Sequence, residues 1–296
     1  MRKIFRTIWL IIIFPFRLIF GIFRTIYRWL VAFLSGFRNL FEEEPEETPL
    51  PDAFAKAVQQ PNDLLFHLNE LRKHIFRALA FLVLTTAFVL IFIRDLIEWL
   101  TKPIGGIESL QAIEVTEPLG VVMRIALLGG FSLALPYITL ELWLFAAPGL
   151  RRRSRLLGLA AIPVAFLFFI GGMAFAYFVM MPTALDFLVN FMDIPTAVRP
   201  ASYVRFVTGL MFWIGVAFEF PLVIFALAGM GLVRSEQLLA YWRIAVVVIA
   251  VVSAMITPTI DPVNMGLVMG PMILLYFLSI GLARIAQGRR ERHAQA

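Results

Sequence analysis

Beyond residue 75 the chain alternates between long apolar runs and short polar connections, with runs at about 75–93, 120–145, 156–181, 206–229, 244–256 and 263–285. A helix needs about 20 apolar residues to cross a bilayer, and five of the six runs reach that length or come close to it. Barrel strands would read instead as alternating segments of about ten residues. A backbone in hydrocarbon must satisfy its own polar groups, so continuous runs of this kind predict α-helices. Pro136, Pro163, Pro182, Pro221 and Pro271 fall inside the runs or at their edges; each removes a helical hydrogen bond and bends its span. Several bent spans together predict a cup. The expected fold class is an all-α membrane protein with six transmembrane helices in a cup-shaped bundle.

The fifth run is short. Ile244 to Ile256 makes 13 residues, about 20 Å of helix against about 30 Å of hydrocarbon. Tyr241, Trp242 and Arg243 extend it at one end. Either "TPTIDP" dips inward and the lipid thins to meet it, or neighbouring helices enclose it.

Ahead of the runs lie two further modules. Residues 1–40 are apolar but carry Arg2, Lys3, Arg6, Arg17, Arg24, Arg28 and Arg38, which at helical periodicity gather within roughly one 100° sector. "IFRTI" recurs at 4–8 and 22–26, an offset of 18 residues or about five turns, so both copies face one way. The expectation is an amphipathic helix lying in the headgroup layer, its cations toward lipid phosphate and Pro15 bending it. A true span is the competitor, although Arg17 would then sit deep in hydrocarbon; a cleaved transit peptide is the remaining alternative. Residues 41–60 contain "EEEPEETPLPD", an acidic, Pro-rich linker with nothing to bury. The six-span domain covers 61–286 and a basic tail 287–296.

Composition agrees with this reading: 60% of residues are hydrophobic and 16% charged, with a mean hydropathy of +0.86. The net charge of +6 reports orientation and contact with anionic lipid, and no nucleic-acid partner is needed to explain it. The connections after even-numbered runs, counted with Lys56, Arg72, Lys73 and Arg77 around the start of the first, hold fourteen Lys and Arg; the others hold four, Arg94, Lys102, Arg199 and Arg205. Both termini are therefore expected in the cytoplasm. The acidic loop over 94–119 is then expected on the far side. No cysteine is present, which removes disulfides, thiolate metal sites and cysteine nucleophiles.

Candidate chemistry is sparse. Glu219 in "VAFEFP" lies inside a span, where a carboxylate normally faces a cavity or a partner. Glu141 in "ITLELWLF" borders the cytoplasmic end of the second span, where snorkelling to the interface is the bland alternative; Arg124, near the other end, has the same alternative. Glu70 in "FHLNELRKH" can pair locally with Lys73 or His74. His67 and His74, seven residues apart on one face, are a weak metal signal, and with His293 they form no HExxH. No GxxxxGK[ST] or GxSxG occurs. No enzyme activity, cofactor or metal is expected.

"FHLNELRKH", "FAAPGLRRR", "FFIGGMAFAYFVMMP", "GVAFEFP" and "TPTIDP", in this order across about residues 61–286, resemble the TatC family of twin-arginine protein translocation. The resemblance implies a multi-pass subunit in the plasma membrane of a prokaryote, a homo-oligomer within a larger complex. It implies a receptor for the twin-arginine signal peptides of folded cargo, which recruits TatA-like and TatB-like single-span subunits and draws on the proton gradient. Glu70 and Arg72 fall in the family's HLxELR motif, where the carboxylate can accept a bidentate guanidinium. Phe145 matches the aromatic residue before the cytoplasmic loop, Glu219 the buried carboxylate of the fourth span, and Asp261 the acid of the short outer loop. Ser154 stands where the family commonly has a second glutamate, and Glu141 where it often has glutamine, so Glu141 is expected to supply the displaced charge. Phe277 likewise replaces a carboxylate. Two other readings stay open: a small-solute secondary transporter, although the six spans show no internal repeat, and a divergent, non-transporting scaffold of the same family.

Overall fold

The structure, a computed structural model, describes residues 61–149, 152–189, 197–257 and 262–294. The basic extension, the acidic linker and Asp261 lie outside the described residues. Helix α1 runs Pro61–Val89 and continues through a 3-10 turn, Leu90–Phe92, into α2, Ile93–Thr101. Then come α3, Glu117–Ala146, and α4, Arg152–Phe175. A π-helical turn, Ala176–Met180, joins α4 to α5, Met181–Val189. The chain closes with α6, Pro200–Met230; α7, Ser235–Ala240; α8, Trp242–Ile256; and α9, Pro262–Ala294. Among the described residues the protein is all-helical apart from one isolated bridge between Leu110 and Val198.

Five continuous helical stretches are long and apolar enough to cross a membrane: His67–Ile104, Glu117–Ala146, Gly158–Val189, Pro200–Met230 and Pro262–Gly288. The sixth apolar helix, α8, has 15 residues, about 22 Å of rise. Helices extend past the apolar runs because their polar ends keep a helical face. Leu96, Ile97 and Leu100, within the stretch expected as an acidic loop, follow Ile93 at i+3, i+4 and i+7 and turn that stretch into α2. Pro136, Pro163, Pro221 and Pro271 lie within α3, α4, α6 and α9. Pro182 follows the π turn, the wider winding that accommodates its missing N–H.

Helix α6 is the hub. It packs against α3, α4 and α9, while α1 packs mainly on α3, and α8 mainly on α9. Close approach comes from small residues, as membrane helices require in the absence of a hydrophobic drive between spans. A Cβ on Gly172 would stand 2.9 Å from the Gly215 Cα, and one on Gly130 would stand 2.6 Å from the Thr86 Cα.

The packing differs between the two ends of the bundle. Toward the α2 end, Leu100, Ile125, Met180, Tyr203, Val207 and Val268 join one continuous core drawn from five elements. Toward the α7 end the core divides into separate clusters: Trp143, Ala147 and Ile162 between α3 and α4; Ile224, Ala228, Ala283 and Ala286 between α6 and α9; and Ile249, Tyr276 and Ile280 between α8 and α9. A bundle held together at one end and divided at the other is the packing a cup requires.

Polar ties close the α2 end. The hydroxyl of Tyr177 donates to the carbonyl of Trp99 at 2.6 Å, and Tyr203 donates to that of Leu100 at 2.6 Å. Both carbonyls lie in the last turn of α2, where acceptors run short of helical donors; that of Trp99 also receives the Lys102 N–H. Arg199, just before α6, donates to Glu117 and Glu114, joining two connections that are more than 80 residues apart. Its hydrogen bonds to Glu117 first, and then to Glu114, raise the guanidinium pKa above its usual value.

Candidate functional site

At the α7 end, α1 and α3 run antiparallel and share a polar seam. Tyr137 and Glu141 are one turn apart on α3, so both face α1; His74 and Arg77 are likewise neighbours on α1. The Tyr137 hydroxyl donates to Glu141 Oε1. His74 Nδ1 lies 2.5 Å from Glu141 Oε2, and with a carboxyl oxygen as acceptor this nitrogen carries the proton. Arg77 Nη1 stands 3.9 Å from the same oxygen.

The side chain of Glu141 is 2% exposed. The snorkelling considered from sequence is therefore corrected: a residue reaches for the interface only when nothing nearer satisfies it, and here two donors from two helices do. The expectation that Glu141 carries a displaced charge at the rim meets a carboxyl whose two oxygens are both engaged.

Three turns further along the seam, the Thr85 hydroxyl donates to the Gly130 carbonyl at 2.8 Å. Phe81 and Tyr137 pack between the two polar contacts, their ring centroids 4.4 Å apart. In the other direction the rings of His67 and His74 flank Phe145, with centroids at 4.5 Å and 6.1 Å. The two histidines whose spacing gave a weak metal signal are thus engaged with an aromatic ring and a carboxyl.

Glu70 falls between His67 and His74 on the same helical face. It is partly exposed and pairs with Lys73 at 2.5 Å, side chains 34% and 50% exposed, so this ion pair is solvated and weak. Of the two local partners expected for Glu70, His74 has turned to Glu141 instead. Arg72 is exposed, with its guanidinium carbon 5.9 Å from the Phe76 ring centroid. On α4, Ser154 lies in the first turn, and its side chain is outside the described residues. Arg155, counted among the loop cations, is 2% exposed and donates to the Pro148 carbonyl at 3.3 Å.

Glu219 belongs to a different place, on the α6 face one turn past Gly215, which packs on Phe169 of α4. It is half-buried, and its Oε1 is buried with no hydrogen-bond partner among the described residues. The adjacent Phe218, with Phe168, Gly171, Phe175, Pro271 and Leu274, lines an apolar groove of about 500 Å³ between α4, α6 and α9.

The structure therefore brings Glu70, Phe145 and Glu141 to one seam, places Arg72 on the open side of α1, and sets Glu219 apart. Sequence reasoning missed Tyr137 altogether and weighed His74 only as a metal ligand or a local partner for Glu70. The i, i+4 spacing of Tyr137 and Glu141 was the available signal.

A family model for the Sec-independent protein translocase protein TatC matches residues 66–271. The Sec-independent protein translocase protein TatC of Synechocystis sp. is 36% identical over 225 residues, covering 75% of this chain and 88% of that one. TatCd of Bacillus subtilis is 33% identical, covering 79% and 96%. Among solved structures, a crystal structure of the twin-arginine translocase receptor TatC superposes with a TM-score of 0.66 at 30% identity, covering 74% of this chain and 99% of that one.

Proposed function

The chain belongs to the TatC family, a multi-pass membrane subunit of Sec-independent protein translocation, and from that premise we propose that it is the receptor subunit for the twin-arginine signal peptides of folded cargo. The observation that carries this reading is the α1–α3 seam: Glu70, partly exposed between two histidines that flank Phe145. A carboxylate at that rim can take a guanidinium in two parallel hydrogen bonds, a geometry an ammonium cannot reproduce. Its present partner, Lys73, is a flexible surface cation that an incoming guanidinium displaces at little cost. Phe145 and the His67 ring offer a wall for the residues that follow the arginines. Arg72, exposed on α1, and Ser154 are assigned further contacts with the peptide.

The distribution of Lys and Arg supports placing this rim and both termini in the cytoplasm, with α2 and the Arg199 ties on the other side. Glu219, with an orphaned carboxyl oxygen beside an apolar groove, suits a polar residue on a single-span TatA-like or TatB-like partner, and a second partner contact is assigned to Asp261. Residues 1–40 anchor on anionic lipid, several copies of the chain assemble within the complex, and the work of transport is drawn from the proton gradient, without enzymatic turnover.

The test is binding of a fluorescent signal peptide to the full chain in nanodiscs. Glu70→Gln weakens a two-arginine peptide by about tenfold, the value of a charge-assisted pair, and leaves a two-lysine peptide nearly unaffected. Equal affinity of both proteins for the two-arginine peptide would overturn the reading.

A further inference from the structure

Glu141 is the only buried carboxyl on the described α1–α3 seam, and nothing in the receptor reading uses it. Its surroundings indicate a use. Two polar pins cross the seam: His74 to Glu141 at 2.5 Å and Thr85 to Gly130 at 2.8 Å. Eleven residues separate the pins on α1 and eleven on α3, about 16 Å along each helix. Equal separations on antiparallel helices mean that the pins share one register. They fix both the rotation and the slide of α1, which a single contact could not do.

Carried toward the α7 end, the same register sets Glu70 opposite Phe145, where the rings of His67 and His74 already lie. The pin nearer the rim is the better determined of the two. Glu141 receives Tyr137 and His74 on different oxygens, with Arg77 at 3.9 Å, so the carboxyl holds its own helix and its neighbour at once. To reach Glu141 directly, a guanidinium would have to displace both donors and enter a site whose carboxyl side chain is 2% exposed.

We propose that His74, Tyr137 and Glu141 form a positioning triad that fixes Glu70 against Phe145, so that Glu141 serves arginine recognition through His74 and is not itself a guanidinium acceptor. The inference rests on the receptor reading of the rim. It also makes Glu70 the one direct arginine acceptor on the described seam.

Peptide binding to the full chain in nanodiscs separates these roles. Glu141→Gln keeps the volume and one acceptor oxygen, so affinity for a two-arginine peptide falls about two- to threefold; Glu141→Leu and His74→Ala, which remove the pin, cost about tenfold. His74→Gln, which retains a side-chain N–H, restores most of the loss. In a Glu70→Gln background, His74→Ala adds less than about twofold, because the contact it positions is already gone.

A merely structural role would depress two-arginine and two-lysine peptides alike, whereas positioning of Glu70 depresses the two-arginine peptide selectively. A tenfold loss in Glu141→Gln with wild-type affinity in His74→Ala would overturn the triad and make Glu141 a direct acceptor. If His74→Ala does not fold, His74→Gln and Tyr137→Phe carry the comparison. Failure of the receptor reading is separately visible: Glu70→Gln alone would then bind as tightly as wild type, whatever the Glu141 variants do.

Discussion

The hydroxyl of Tyr203, near the start of α6, reaches the carbonyl of Leu100, in the last turn of α2, at 2.6 Å across 103 residues of sequence. Tyr203 is 3% exposed and Leu100 likewise 3%, so water cannot replace the bond. Tyr203→Phe keeps the ring and orphans the carbonyl, which costs about 1–2 kcal/mol. Unfolding in mixed micelles reads this as a lowered midpoint. Tyr177→Phe, one carbonyl away, gives a smaller loss because the Trp99 carbonyl keeps the Lys102 N–H, and the double variant loses less than the sum because the two caps share one helix end.

Gly130→Leu separates α1 from α3. Even a single added carbon would lie 2.3 Å from Thr86 Oγ1 and 2.6 Å from the Thr86 Cα, and backbone cannot step aside as a side chain can. The expected destabilisation is about 2–3 kcal/mol, and the Thr85 pin breaks with it. The chain has no cysteine, so cysteine pairs introduced across the seam read the separation directly as lost crosslinking.

Removing the carboxyl in Glu219→Ala reduces crosslinking to single-span partners about three- to fifteenfold, the range for one interhelical polar contact in a bilayer. Glu219→Gln retains most of it. The readout is photo-crosslinking from Phe218 or Leu274, both on the groove, and unchanged yields in Glu219→Ala would discard the partner assignment.

Inserting seven apolar residues into α8 brings it from 15 residues to about the length of an ordinary span. If a locally thin bilayer lowers the barrier to folded cargo, export of a folded fluorescent reporter falls by roughly half or more while the protein still accumulates in the membrane. Undiminished export would remove any role for the short helix in passage.

The spans were legible because hydrocarbon imposes one rule on every turn of helix, and a continuous apolar run records it. Helix α2 was less so: its charges, Asp95 and Glu98, suggested a loop, while the apolar spacing of Ile93, Leu96, Ile97 and Leu100 held the helix on the core. At the candidate site the motif residues could be named from sequence, but their company could not. Glu141 lies 67 residues from His74, and no local pattern distinguishes a carboxyl that snorkels from one caught by a neighbouring span. Ion pairing of Glu70 with Lys73 was readable from i, i+3 spacing; the turning of His74 away from Glu70 depended on where α3 happens to pass.

Helix α8 touches little besides α9, which is synthesised after it. While the ribosome is still making residues beyond Pro262, α8 has no companion and too little length to settle in lipid alone. Its lodging in the bilayer therefore waits on α9, and a nascent chain released before α9 emerges keeps four secure crossings at most. Quality-control proteases meeting such a fragment would find their first foothold at Trp242–Ile256.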